Sequence, residues 1–218
     1  MKKILLAAVT AGALALAAGH ASAGTGSFAY NIGATSDYVF RGLSQTNGDA
    51  AIQGGIDYSN GMFYAGTWAS NVSFAHDYEL DLYAGVKPTA GKFSFDLGAI
   101  TYQYGNKAYN TTELKAAVSH PLGKGTVGVA LFDNVDYGKT YYYELNGSYP
   151  FTDKLSLSGA VGEQAVTGVK YSTANLGLTY ALTSKISIDG RFSGTNIPVT
   201  PFTKAADERF SLTVKAAF

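Results

Sequence analysis

The sequence contains no cysteine, which excludes disulfide bonds and thiolate chemistry. Proline is scarce, with 5 among 218 residues, and beyond the N-terminal segment no run is apolar for the ~18 residues that a membrane-spanning helix needs. The 16 basic residues balance 16 acidic ones, so the net charge gives no electrostatic attraction for nucleic acid. No cluster has the spacing of metal ligands. We therefore predict no metal, no cofactor and no nucleic-acid partner.

The first 23 residues differ in character from the rest. Lys2 and Lys3 precede an apolar run at residues 4–18, and Ala21, Ser22 and Ala23 supply the small residues of a cleavage position. This pattern is typical of a secretory signal peptide. An N-terminal membrane anchor is the alternative, although the apolar run is short for a span. We predict a signal peptide at residues 1–23 and a single mature domain at residues 24–218.

The last eleven residues, ERFSLTVKAAF, show the pattern that recurs through the chain. Side chains of a β-strand alternate between two faces. Here one face would carry Phe210, Leu212, Val214 and Phe218, and the other would carry Ser211, Thr213 and Lys215. The chain is also rich in residues that favour strands and turns over helices, with 26 Gly, 16 Tyr and 12 Phe.

About twelve such segments follow one another from Ser27 to the C-terminus. Short turns near residues 60, 90, 122, 152 and 183 alternate with longer loops, the longest predicted at residues 194–207. Asn60-Gly61 is the strongest hairpin signal among the turns. This rhythm predicts an all-β fold: a single antiparallel transmembrane β-barrel of about 12 strands. A soluble β-sandwich also alternates, so further signals must decide between the two.

Two signals favour the barrel. Charges avoid the apolar face, as expected where an Arg or Lys facing lipid costs about 2–4 kcal/mol. The predicted pore-lining residues on the polar face are Asp37, Arg41, Asp57, Glu79, Asp81, Asp96, Glu113, Lys115, Glu144, Asp189, Arg191 and Lys215. Aromatic residues also concentrate at strand ends, which resembles the two girdles of a membrane barrel. We place Tyr58, Tyr64, Phe93, Tyr149, Tyr180 and Phe218 in the turn-side girdle, and Tyr38, Phe40, Trp68, Tyr141, Phe192 and Phe210 in the loop-side girdle.

Four sequence motifs carry a family resemblance: SDYVFRGLSQT at residues 36–46, AIQGGIDY at 51–58, FYAGTW at 63–68 followed by SNV at 70–72, and ELDLYAG at 79–85. They resemble the TorF-type porin family, also labelled Gcw_chp. Beyond residue 85 the match is one of pattern and length. The resemblance implies a bacterial outer-membrane location and a channel function, and it supplies no catalytic residues.

These patterns lead us to predict a porin for passive diffusion of small hydrophilic solutes, not an enzyme. Eight acids against four bases among the pore-lining residues predict a weak cation preference. The expected surroundings are outer-membrane lipid and lipopolysaccharide. The terminal strand, with Phe210, Leu212, Val214 and Phe218, is expected to be the signal for the barrel-assembly machinery, by analogy with outer-membrane proteins generally.

Two other functions stay open at this point. An outer-membrane hydrolase would need a base beside a nucleophile, and His76 next to Asp77 is the candidate, near Ser70 and Ser73. A purely structural barrel would present its loops, above all residues 194–207, to a partner. Asp37 and Arg41 are expected to face each other across four residues, either as a structural ion pair or as a constriction.

Overall fold

The computed structural model describes residues 26–75, 77–167, 169–198, 200 and 203–218. The predicted signal peptide and His76 therefore lie outside the described residues. Twelve long strands form the wall: β1 Ser27–Thr35, β2 Ala51–Asn60, β3 Phe63–Asn71, β4 Tyr78–Val86, β5 Phe93–Tyr104, β6 Thr111–Leu122, β7 Gly125–Asn134, β8 Tyr141–Pro150, β9 Leu155–Val166, β10 Val169–Ala181, β11 Ile186–Thr195 and β12 Arg209–Ala217. Two single-turn 3-10 helices lie in the connections, at Lys107–Tyr109 and Lys204–Ala206.

Each strand pairs antiparallel with its neighbours in the chain, and the first strand pairs with the last. In that seam Gly33 lies opposite Lys215 and Thr35 opposite Thr213. The ring is therefore a closed twelve-stranded up-and-down barrel, in which every wall strand has a partner on both edges. The predicted fold class is confirmed. Within the described residues, no helix is long and apolar enough to cross a bilayer.

The connections sort to two ends of the barrel. Short turns at residues 61–62, 87–92, 123–124, 151–154 and 182–185 occupy one end, as predicted. The other end carries the longer connections, of which 36–50 exceeds 196–208 in length. The connection between β9 and β10 is an exception at that end, because it is a tight hairpin in which Val166 pairs with Val169. Outer-membrane barrels place short turns at the periplasmic side and long loops outside.

The outer surface is an apolar band. Leucine, isoleucine, valine and phenylalanine side chains cover it on every part of the circumference, for example Ile56, Leu82, Leu145, Leu178 and Leu212. A charged pair on this face, Glu163 and Lys170, lies near the loop end with Oε1 and Nζ 2.8 Å apart. A surface of this kind suits hydrocarbon at mid-height and polar headgroups at its rim.

The two aromatic girdles exist, but four predicted members face inward. On β3, Tyr64 lies opposite Gly85 and Trp68 opposite Asp81, both on the inner face. The hydroxyl of Tyr64 donates to Asp96 over 2.7 Å, which is possible only from inside. Tyr38 and Phe40 are buried within the barrel, on the segment described below. At the rims, exposed outward-facing rings include Phe28, Phe63, Phe93, Tyr149, Phe192, Phe210 and Phe218.

Candidate functional site: a hairpin inside the barrel

Residues 36–50, between β1 and β2, fold into the barrel at its loop end and are called the inner hairpin below. Val39–Phe40 pairs with Leu43–Ser44, and Arg41 and Gly42 form the turn between them. Both turn residues have positive φ, 43° and 78°, as a two-residue type I′ hairpin turn requires. Glycine adopts this conformation freely, whereas an arginine there is unusual and strained by about 1 kcal/mol or more. The contacts of Arg41 must therefore hold the tip in place.

Arg41 reaches the wall on the side opposite to β1. Its two terminal nitrogens donate to Glu113 of β6, over 3.0 Å to Oε1 and 2.9 Å to Oε2. Nη1 also donates to Oε1 of Gln164 on β9 over 2.7 Å. The Arg41 and Glu113 side chains are only 3% and 0% exposed, so this bidentate pair is isolated from water. These three side chains join the hairpin tip to two separate wall strands.

Aromatic rings enclose the same guanidinium. Its central carbon lies 4.3 Å from the ring centroid of Tyr142, 4.7 Å from that of Phe40 and 4.9 Å from that of Phe132. Cation–π attraction is strongest at such desolvated sites. Burial acts to lower the pKa of Arg41, but the charge and hydrogen bond of Glu113 together with the neighbouring Tyr102 and Tyr142 outweigh it, so the pKa lies above its ordinary value. The tip therefore stays cationic inside a dry, aromatic pocket.

Asp37 anchors the base of the inner hairpin. Its carboxylate accepts from the Ser44 hydroxyl over 2.6 Å, the Thr46 hydroxyl over 3.0 Å and Nη1 of Arg209 over 3.0 Å. The predicted contact between Asp37 and Arg41 is wrong. It assumed that the first strand continues to residue 41, whereas β1 ends at Thr35 and the chain turns inward, so strand parity no longer applies.

Other hairpin side chains touch the wall around the rest of the circumference. The ring of Tyr38 packs edge-on against Trp68 of β3, with centroids 5.5 Å apart. Leu43 packs with Tyr171 of β10 and with Ala206. A Cβ atom on Gly42 would collide with Thr195 of β11. Together with the Arg41 contacts, these fill the cross-section of the barrel at the level of the inner hairpin.

The interior is wetter toward the turn end. Lys115 and Asp96 form an ion pair with 2.7 Å between Nζ and Oδ2, and their side chains are 25% and 19% exposed. Arg191 and Asp189 pair over 3.1 Å with similar exposure. Tyr83 donates to Asp57 over 2.7 Å in the same region. The barrel thus combines a sealed half at the loop end with a solvated, charged half at the turn end.

The structure places the predicted pore-lining residues as follows. Asp37 and Arg41 lie on the inner hairpin. The other ten lie on the inner face of the wall: Asp57, Glu79, Asp81, Asp96, Glu113, Lys115, Glu144, Asp189, Arg191 and Lys215. Glu79, Asp81 and Glu113 are buried at the hairpin level, whereas the remaining seven are partly solvated.

The sequence analysis missed four residues of this site. Arg209 shares the inward parity of Lys215, so the alternation of the terminal strand contained the signal. Lys87 comes directly after β4 and has the same parity as its inward-facing residues, so it also carried a signal. Its ammonium lies 4.6 Å from the ring centroid of Tyr64. Gln164 and Tyr142 carried no signal, because an amide and a phenol on the polar face are ordinary barrel lining.

The residues expected to signal assembly lie on the outer face of the last strand. Phe210, Leu212, Val214 and Phe218 are exposed there. Their role in assembly stays a prediction.

The family relationship is decided by a family model. The model described as "Bacterial protein of unknown function (Gcw_chp)" matches residues 17–218. The chain belongs to the Gcw_chp family. The resemblance to this family that the four sequence motifs indicated is thereby confirmed. No protein among the curated sequences matches this Gcw_chp chain.

Solved structures with a similar fold are outer-membrane barrels. The "KdgM porin" aligns with a TM-score of 0.62 at 11% identity, over 89% of this chain and 99% of that one. The NanC porin aligns with a TM-score of 0.61 at 9% identity, over 88% and 99%. The COG4313 outer membrane channel from Pseudomonas putida F1 aligns with a TM-score of 0.53 at 14% identity, over 90% and 96%. At these identities the similarity shows a shared fold.

Proposed function

We propose that this Gcw_chp protein is an outer-membrane channel for passive diffusion of small hydrophilic solutes. The observation that carries the proposal is the pairing of an apolar outer wall with a charged, solvated interior in one closed ring. Such a wall satisfies every backbone group in hydrocarbon, and such an interior offers water and solutes a polar path. Three similar barrels are described as porins or channels, which supports the same reading.

We further propose a weak cation preference. Eight of the predicted pore-lining residues are acids and four are bases; Arg209 and Lys87 raise the number of inward bases to six. The excess of carboxylates is therefore smaller than the sequence alone suggested, but its sign is unchanged. The KdgM porin has been solved with oligogalacturonate, a polyanion. For the present chain the interior charge supports neutral or cationic solutes instead.

Conductance of the purified protein in a planar bilayer tests both proposals. A tenfold KCl gradient should give a reversal potential with the sign of cation preference. Heat-modifiable gel mobility of the same preparation shows that the barrel is folded. A reversal potential of the opposite sign would refute the cation preference and leave the channel intact. Absence of any current from folded barrels, both with the inner hairpin present and with it removed, would count against diffusion.

The filled loop end favours a second candidate, a structural barrel that presents its connections to a partner. In that case the inner hairpin is a permanent filling, and removing it should not create a conducting pore. The hydrolase alternative stays untested, because His76 lies outside the described residues. Replacing His76 by alanine and assaying lipid and peptide hydrolysis remains the experiment for that alternative.

A further inference from the structure

We propose that the inner hairpin is a gate and that the contact of Arg41 with Glu113 and Gln164 is its latch. The proposal rests on the channel function proposed above and adds how that channel opens. It concerns residues 36–50, which close the barrel at the level where Glu113 lies.

The inner hairpin closes the lumen without belonging to the wall. Its two short strands pair only with each other and form a sheet separate from the barrel. Among the described residues, two backbone bonds tie it to the wall and its connections: Ser36 N donates to Leu212 O at its start, and Ser73 N donates to Gln45 O, each over 2.9 Å. The contacts of the tip with the wall are made by side chains. The hairpin can therefore leave the lumen without breaking the hydrogen-bonded ladders that hold the barrel together.

The second half of the segment provides a place to bend. Asn47 and Gly48 have positive φ, 57° and 89°, and residues 47–50 are exposed. Asparagine and glycine tolerate this conformation best among the residues. A change of backbone angles at this turn would move residues 38–45 as one unit, because the Tyr38 carbonyl accepts from Gln45 N over 2.7 Å. Hinges of gating loops typically involve a few such positions.

The latch is concentrated in one side chain. The tip residue Arg41 holds a strained backbone and makes all the charged contacts between the tip and the far wall. Asp37 and its partner Arg209 lie at the base, where they would hold the hairpin in either position. Loss of the Arg41 contacts should thus shift the equilibrium between closed and open positions without dismantling the base.

Two substitutions test the latch, and a third serves as a control. Glu113→Gln keeps the shape of the wall side chain and removes its charge. Arg41→Asn removes the guanidinium and leaves Asn-Gly, the preferred sequence of a type I′ turn, so the hairpin itself stays formed. Asp189→Asn removes an inward charge of the same sign from a pair with Arg191 that does not touch the hairpin.

We expect Glu113→Gln and Arg41→Asn to raise the open probability in planar bilayers by about tenfold or more, since each removes charge-assisted hydrogen bonds from the closed state alone. Asp189→Asn should alter ion selectivity and leave the open probability at the parent value. Equal open probability in the parent and both latch variants would overturn the gate while the channel function stands. Heat-modifiable gel mobility identifies any variant that fails to fold. If one latch variant does not fold, the other alone still tests the gate.

A reversible lock and a deletion complete the test. In the Arg41→Asn background, Leu43→Cys with Ala206→Cys places two thiols where the side chains pack together, in a protein with no other cysteine. Oxidation should return the current to the closed level, and a reductant should restore it; an open cross-linked protein contradicts the gate. Replacing residues 38–46 by a short Gly-Ser linker removes the hairpin. A folded deletion variant without current would refute the channel itself, not only the gate.

Discussion

At the scale of single residues, Arg41 and Gly42 show how one turn can depend on both backbone and packing. Arg41 occupies a conformation that arginine disfavours, and its contacts compensate for that strain. Gly42 has a φ of 78° and also lies against Thr195 and the carbonyl of Gly194, where no side chain fits. Glycine is needed at this position for two independent reasons.

Gly42→Ala should therefore destabilise the barrel more than the same change at another turn. Gly61 has a φ of 59° and open space around it, so Gly61→Ala measures the backbone cost alone. We expect a loss of about 1 kcal/mol for Gly61→Ala. The collision should bring Gly42→Ala to about 2–3 kcal/mol or displace the hairpin. Urea titration of the folded barrel in detergent compares the two; equal losses would mean that the tip is not packed against β11.

Lys87 is expected to moderate the cation preference. Burial lowers its pKa below that of an ordinary lysine, with opposing contributions from nearby charges. As the pH rises through the alkaline range, Lys87 should lose its proton before exposed lysines do, and the net interior charge becomes more negative. Cation selectivity should accordingly increase with pH. Lys87→Gln should show the higher selectivity already at neutral pH.

The control for that experiment is Lys92→Gln in the same turn, because Lys92 is exposed. Reversal potentials measured across the pH range compare the parent with both variants. A Lys87→Gln protein whose selectivity and pH dependence match those of the parent would remove Lys87 from the conduction path.

At the scale of elements, the alternation of apolar and polar residues predicted where most strands run. It did not always predict which face of a strand points to lipid. On β3, Tyr64 and Trp68 are the bulky residues, and the sequence analysis assigned them to lipid. They face inward, because Tyr64 finds Asp96 and Trp68 lies opposite Asp81. Beyond Phe63 at its start, the outward positions of β3 are Ala65, Thr67, Ala69 and Asn71, which carry little hydrophobic signal. Bulk alone does not distinguish the two faces when the interior also holds aromatics.

The inner hairpin was missed for a related reason. Residues 36–41 continue the apolar-polar alternation of β1, so parity gives no sign that the wall ends at Thr35. The turn signal is weak, because Arg-Gly is not among the usual type I′ pairs. The partners of Arg41 are 72 and 123 residues away, a distance at which no local pattern operates. The wall could be predicted from local periodicity, whereas the candidate gate depends on contacts that only the closed ring creates.

The seam between β1 and β12 gives the prediction at this scale. Phe218 extends the pairing beyond the last strand: its N–H donates to Tyr30 O over 2.9 Å, and its carbonyl accepts from Tyr30 N over 3.1 Å. Deleting Phe218 should reduce the assembled fraction in the membrane, since it removes both bonds and an exposed ring at the bilayer rim. Heat-modifiable mobility of membrane fractions measures this.

Two comparisons separate the contributions of the backbone and the ring. Phe218→Ala keeps the seam bonds and removes the ring, and Phe151→Ala removes an exposed ring at the same end of the barrel away from the seam. Assembly of all three variants at the parent level would exclude the terminal residue as part of the recognition signal.

At the scale of the whole molecule, the outer surface determines where the protein can reside. The apolar band encircles the barrel, and exposed rings lie at both of its rims. Washing cell envelopes with alkaline carbonate should leave the protein in the pellet, since that treatment strips proteins held by charge alone, while detergent should release it. Recovery of folded, monomeric protein in a detergent-free periplasmic extract would contradict the membrane location.

The two ends of the molecule present themselves differently to the solutes on either side. A solute that approaches from the short-turn side enters a water-accessible vestibule lined by the partly exposed Lys115 and Asp189. A solute that approaches from the long-loop side meets the inner hairpin first. Ion currents driven in the two directions should therefore differ in magnitude, so the protein would act as a passive rectifier.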